Sequence, residues 1–163
     1  MEIVGFSNIQ VHLLMRLVLA VFLGALIGLE REVSKKHAGM RTYALVSLGA
    51  ALFTTLSETT YQYFLIAYGG TPNYDPSRII SQIVVGTGFL GAGMVIFHKE
   101  KVLGLTSAAG IWVAAAVGAA TGIGAYWLAI ATTILALFVL VILRWWEDWM
   151  KWRNGEQTEK EED

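Results

Sequence analysis

The chain contains no cysteine. Disulfides, thiolate nucleophiles and cysteine-based metal sites are therefore excluded. Charge is also scarce, at 15% of 163 residues, where a soluble domain carries about 25%. The net charge is −1, so there is no basic surface of the kind that nucleic acid requires. The three histidines, His12, His37 and His98, are isolated and form no His-x-x-x-His pair. There is no nucleophile elbow, phosphate-binding loop or zinc-protease motif, so the sequence gives no support to an enzyme. The first apolar run has no basic leader and no clear small-x-small cleavage site, and is read as a helix rather than a signal peptide. There is no long linker, low-complexity stretch or internal repeat.

What remains is hydrophobic, 55% of the chain, with 17 glycines and only 2 prolines. The charges cluster between long apolar runs: Leu13 to Leu29, Thr42 onward to Tyr68, Ile79 to Phe97, Ser107 to Ala120, and Tyr126 to Leu143. A run of about 17–25 apolar residues crosses a bilayer as a helix. The expected fold is thus an all-α, polytopic membrane helix bundle with about five transmembrane helices. Residues 1–150 form its membrane domain, and 151–163 form a charged tail expected to be disordered. Asp75-Pro76 has the form of a helix start, with aspartate as cap and proline in the first turn. Thr106 is the expected cap of the fourth helix.

Lysine and arginine in the connections set orientation. The first connection holds Arg31, Lys35, Lys36 and Arg41, and the third holds Lys99 and Lys101. The segment after the fifth run holds Arg144, Lys151, Arg153 and Lys160. Between these, the second connection holds only Arg78 and the fourth none. This alternation places the N-terminus outside and the C-terminus in the cytoplasm. Arg16, just inside the outer end of the first run, is expected to snorkel to the headgroups. Trp145, Trp146, Trp149 and Trp152, among basic residues, read as an interfacial aromatic belt. Trp145, Trp149 and Trp152 share one helical stripe, which would let this segment lie along the membrane surface.

In lipid, helices associate through close backbone contact, and small residues at every fourth position mark it. Gly24 and Gly28 in the first helix, Gly86, Gly88, Gly91 and Gly93 in the third, and Gly110 and Gly118 in the fourth are the expected packing positions. They serve either one bundle or contact with another protomer or membrane protein. Gly86-Thr87-Gly88-Phe89-Leu90-Gly91 has dinucleotide-fingerprint spacing but lies in an apolar span with no strand before it, and is rejected.

The polar candidates each carry two readings. Glu30, Arg31 and Arg41 flank the first connection, as topology anchors and ordinary ion pairs or as an ion gate or docking site. Asp75, Arg78 and Gln82, spaced three and four apart, share a helix face. They form a cap and surface pair, or a polar mouth. Mg²⁺ takes hard oxygen ligands and keeps several waters, so Asp75, with Glu58 nearby, is the metal candidate. Glu58 lies about 24 Å along a straight helix from Thr42, near the outer interface of a core about 30 Å thick.

Several motifs then combine. Leu23-Gly24-Ala25-Leu26-Ile27-Gly28-Leu29-Glu30-Arg31-Glu32 is followed by Ala38-Gly39-Met40-Arg41-Thr42. Asp75, Arg78, Gln82 and the stretch Gly86 to Gly93 come next, then Gly104-Leu105-Thr106-Ser107-Ala108-Ala109 and Trp112. Together, in this order and over about residues 13–143, they resemble the MgtC/SapB family of bacterial and archaeal membrane proteins. The resemblance implies a cytoplasmic (inner) membrane location and adaptation to low magnesium. It also raises Glu30, Arg31, Arg41, Thr42, Asp75, Arg78, Gln82, Thr106 and Ser107 as site candidates. The resemblance is to the membrane domain, and the soluble C-terminal domain that longer members carry is not expected here. The expected function is non-enzymatic: binding or regulating other membrane proteins, with homodimerisation through the glycine stripes. The alternative is a small Mg²⁺ or other cation transporter or channel. No cofactor is expected, Mg²⁺ entering only as ligand or transported ion. The expected partners are the lipid bilayer, a second copy and other membrane proteins, and no nucleic acid.

Overall fold

The computed structural model describes residues 2–69, 75, 77–98 and 101–153. The chain is an all-α bundle: α1 (Glu2–Val33), α2 (Met40–Tyr68), α3 (Ser77–Met94), α4 (Leu105–Gly122) and α5 (Tyr126–Phe138). A π-helical turn, Val139–Leu143, carries α5 into α6 (Arg144–Arg153). Between α3 and α4 lies a short antiparallel hairpin, β1 (Ile96–His98) with β2 (Lys101–Leu103), pairing Phe97 with Val102. Three segments are long and apolar enough to cross a membrane: Ile9–Val33, Leu105–Gly122 and Tyr126–Glu147. The 29 residues of α2 and 18 of α3 run beside them, diluted by threonines, Glu58, Arg78 and Gln82.

Side-chain contacts fix the helix directions. The Tyr43 hydroxyl donates to the Ser107 carbonyl at 2.9 Å, so α2 and α4 begin at the same end. Arg144 reaches Ser34, bringing the end of α5 to the end of α1. Arg16 meets Glu58 and the Gly122 carbonyl, joining the early part of α1 to the late parts of α2 and α4. The helices therefore alternate in direction. We call the two ends the hairpin end, where the α1–α2 connection and α6 also gather, and the turn end, where α4 passes into α5.

The core is built on backbone proximity, with α2 between two glycine ladders. A Cβ on Gly24 would stand 2.6 Å from Ser47 Cβ and 2.7 Å from the Tyr43 carbonyl oxygen. One on Gly28 would stand 2.7 Å from Met40 Cα. On the other side, Gly118 lies against the Ser47 backbone, Gly110 against the Tyr43 ring, and a Cβ on Gly122 would stand 2.7 Å from the Ala51 carbonyl oxygen. Only hydrogen fits at these positions, which lets the helices approach closely enough for dispersion to hold them. Ile27, Tyr43, Ile111, Ala114 and Val117 fill the spaces between. Buried threonines return their hydroxyls to their own helices, Thr54 to the Ala50 carbonyl and Thr133 to the Ala129 carbonyl.

Several local expectations change. The third helix ends at Met94, before Phe97, because the chain turns into the hairpin. Gly104, not Thr106, opens α4: it has φ +85°, and a side chain there would strike the Met94 carbonyl. Thr106 sits exposed in the first turn. Asp75 does cap α3, accepting from the Ser77 N–H at 2.9 Å and the Ser77 hydroxyl at 2.9 Å. Helix continues to Arg153, past the expected boundary at 150, and the expected disordered tail beyond it lies outside the described residues.

Candidate functional site

Polar groups collect at both ends of the bundle, and an uncovered helix face lies between them. At the turn end, Arg16 finds partners within the bundle. Its Nη1 donates to Glu58 Oε2 at 2.7 Å and to the Gly122 carbonyl at 2.8 Å. Gly122 is the last residue of α4, where carbonyls are unpaired and the helix dipole is negative. Thr55 donates to the same carbonyl at 3.2 Å. One guanidinium thus neutralises a carboxylate from α2 and the negative end of α4. The pair is only partly covered, with 20% of the Arg16 side chain and 39% of the Glu58 side chain exposed. Arg16 Nε is buried with no partner among the described residues. Gly124 lies beside the guanidinium, a Cβ there standing 3.3 Å from Arg16 Nη2, and its φ of +82° itself favours glycine.

At the hairpin end, Arg31 is 3% exposed and pairs with Glu30. The Ser34 hydroxyl donates to Glu30 Oε1 at 2.8 Å, and Arg144 stands 3.8 Å from that oxygen. Two arginines from different helices therefore share one carboxylate. Beside them Glu32 accepts from the Met40 N–H at 2.9 Å and closes the α1–α2 connection.

The remaining candidates are dispersed. Arg41 and Thr42 are exposed on α2, while Ser107 is buried with its carbonyl taken by Tyr43. Asp75 and Arg78 are exposed at the start of α3. The Asp75 carboxyl is held below the usual carboxylate range, first by the Ser77 hydroxyl and then by the Ser77 N–H. Its oxygens are thus engaged by its own cap. Among the described residues no group of three or more His, Asp or Glu side chains converges as a metal site.

Helix α3 is unbroken from Ser77 to Met94. Its glycines divide by role. A Cβ on Gly91 would meet Ala108 at 3.7 Å, an ordinary contact, whereas Gly86, Gly88 and Gly93 would meet nothing within 4 Å. Among the described residues, those three therefore pack against nothing. Phe89, 81% exposed, projects from the same region. An apolar groove of about 490 Å³ separates α3 from α2, lined in part by Gly49, Phe53, Gly86 and Leu90, with Gln82 at its edge. Gly49 also has open space above it.

Sequence reasoning missed the Arg16–Glu58 pair and the share Arg144 and Ser34 take in the Glu30 cluster. The signal for the first is present: an arginine within an apolar run demands a compensating partner, and Glu58 is the carboxylate that reaches the outer end of α2.

A model of the MgtC family matches residues 17–149. Among curated relatives, protein MgtC of Salmonella typhimurium strain LT2 is 42% identical over 131 residues, 80% of this chain and 52% of that protein. YhiD of Escherichia coli strain K12, whose name assigns it provisionally to magnesium transport, is 40% identical over 129 residues, 79% of this chain and 59% of that protein. An uncharacterized protein of Haemophilus influenzae is 33% identical over 135 residues, covering 80% of this chain and 56% of its own length. The chain thus spans between half and three-fifths of the length of the curated relatives it matches. No solved structure matches. The match takes in both arginine clusters except Arg16, one residue before its start, and the whole of α3, and the chain belongs to the MgtC family.

Proposed function

We propose that this protein is a non-enzymatic component of the cytoplasmic membrane that binds other membrane proteins through the α2–α3 face, in adaptation to low magnesium. The observation that carries the proposal is the uncovered side of α3: Gly86 and Gly93 with open space on one stripe, an exposed phenylalanine beside them, and a groove with a bare glycine on each wall. Glycine at a lipid-facing position gives lipid nothing, but gives an incoming helix close backbone approach. The protein crosses the membrane five times, with its N-terminus outside and its C-terminus in the cytoplasm. The hairpin end, where exposed Lys35, Lys36, Arg41 and Arg144 collect, then faces the cytoplasm.

Cation transport, the activity in the name of the Escherichia coli relative, is the competing function. Both clusters argue against it. Glu58 is neutralised by Arg16, and Glu30 by Arg31 and Arg144, so neither carboxylate offers uncompensated charge to a passing cation.

The test is photo-crosslinking in native membranes. A photoreactive residue at Val85 or Phe89 should give a discrete adduct with another membrane protein or a second copy. The adduct should vanish when Gly86→Leu is added, and none should form from Leu128 or Leu135 on α5. Lipid adducts alone from all four positions, together with saturable Mg²⁺ uptake by proteoliposomes of the purified protein, would instead establish transport.

A further inference from the structure

Beyond its first residue, Arg144, helix α6 is used by neither cluster and contributes nothing to the α2–α3 face. It makes no substantial packing contact except with the π turn from which it grows, among the described residues. Yet Trp145, Trp146, Trp149 and Trp152 are all exposed. At 100° per residue these four and Met150 fall on one broad arc, and Arg144 and Glu147 fall opposite. Arg144 reaches Ser34 and Glu30 on α1. The charged side of α6 is thereby turned towards the bundle and the indole side away from it, to where lipid surrounds the protein.

Height decides what the indoles meet. Arg144 is level with the end of α1. If α6 continued straight along the membrane normal, Trp152, eight residues on, would stand about 12 Å further out. The headgroup zone on each side is only about 5–8 Å deep. A straight helix would leave Trp152 and its neighbours in water, where large aromatic surface is costly. The chain has a place to turn. Val139–Leu143 is a π turn, and such turns are a recognised origin of sharp bends in helices.

We propose that α6 is a surface anchor: it folds over at the π turn and lays its indole face in the headgroup layer of an anionic leaflet. Charge selects anionic over neutral lipid. The Arg153 guanidinium lies over the Trp149 ring, 5.1 Å from its centre, so the indole face carries a cation at headgroup depth. Lys35, Lys36 and Arg41 are exposed at the same end. Basic groups on an interfacial helix and beside a span are drawn to anionic lipid phosphates.

The absence of native cysteine permits a direct test. Single nitroxide labels are placed at W149C, W152C and E147C in the full chain, reconstituted in phosphatidylglycerol/phosphatidylcholine vesicles or in phosphatidylcholine alone. Labels at 149 and 152 should collide severalfold more with oxygen than with a water-soluble nickel chelate, and the label at 147 should show the reverse. The contrast should shrink in pure phosphatidylcholine. The unmodified protein supplies an independent readout: trypsin cleavage after Arg153 should slow severalfold when phosphatidylglycerol is present. Equal nickel access at all three sites in both vesicles, with unchanged cleavage, would overturn the anchor. A contrast independent of lipid charge would overturn its preference for anionic lipid. Shielding of 149 and 152 that arises only when native membrane extract is fused in would assign the face to a protein instead.

Discussion

Gly118→Ala should be among the most damaging single-methyl additions in this protein. The new Cβ would lie under 3 Å from three backbone atoms of Ser47: O, C and Cα. Carbon atoms in contact prefer about 3.5–4.0 Å. A side chain could swing aside, but a helix backbone held between two ladders cannot, since Gly24 packs against Ser47 from the opposite flank. The helices α2 and α4 must separate, and the contacts of Ile111, Ala114 and Val117 loosen with them. Overpacking of this kind costs about 1–3 kcal/mol, and each kcal/mol moves Tm by about 2–4 °C in a protein of this size. Thermal unfolding in detergent should therefore fall by about 2–12 °C. The control is Gly88→Ala, where nothing lies within 4 Å. Relief of glycine's helix penalty, up to about 1 kcal/mol, should leave Tm unchanged or raise it. Equal Tm for the two variants would refute the two-ladder account of the core.

Other outcomes follow from the same geometry. In a double-mutant cycle, Arg16→Ala and Glu58→Ala should couple by about 0.5–3 kcal/mol in detergent unfolding, and additive losses would deny that they pair. Tyr43→Phe removes the donor to the Ser107 carbonyl and should cost about 1 kcal/mol; a fully stable variant would mean that this bond contributes nothing. Cysteines at Lys36 and Asp75 should react with membrane-impermeant reagents from opposite sides of intact cells, and same-side labelling would reject the five-span orientation.

Much of the fold was legible because membrane helices announce themselves by length and apolarity, and because glycine every fourth residue reports close approach. Gly24, Gly28, Gly110 and Gly118 stand at such approaches. At Gly86, Gly88 and Gly93 the same spacing shows that a helix offers small residues and not whether this chain or another covers them. Asp75 was legible as a cap, since its partner lies two residues away. The Arg16–Glu58 pair and the Glu30–Arg31–Arg144 cluster were harder. Arg16 is far from Glu58 in sequence and Arg144 far from Glu30, and such pairing depends on which helices are neighbours, which composition does not encode. The hairpin escaped because Ile96 to Leu103 holds too few residues for a strand pattern to stand out from the apolar run before it.

The Arg16–Glu58 pair has an electrical consequence. Arg16 lies seven residues into the apolar segment that begins at Ile9, level with the last residue of α4. In the five-span arrangement proposed above, the pair sits towards the outer end of the span. A lone charge at that depth would feel part of the transmembrane voltage, worth about 2.3 kcal/mol per elementary charge for each 100 mV fully crossed. A guanidinium and a carboxylate 2.7 Å apart sum to zero and move nothing in that field. While the pair holds, this end of the bundle is blind to membrane potential, and only a state in which Arg16 and Glu58 part would begin to feel it.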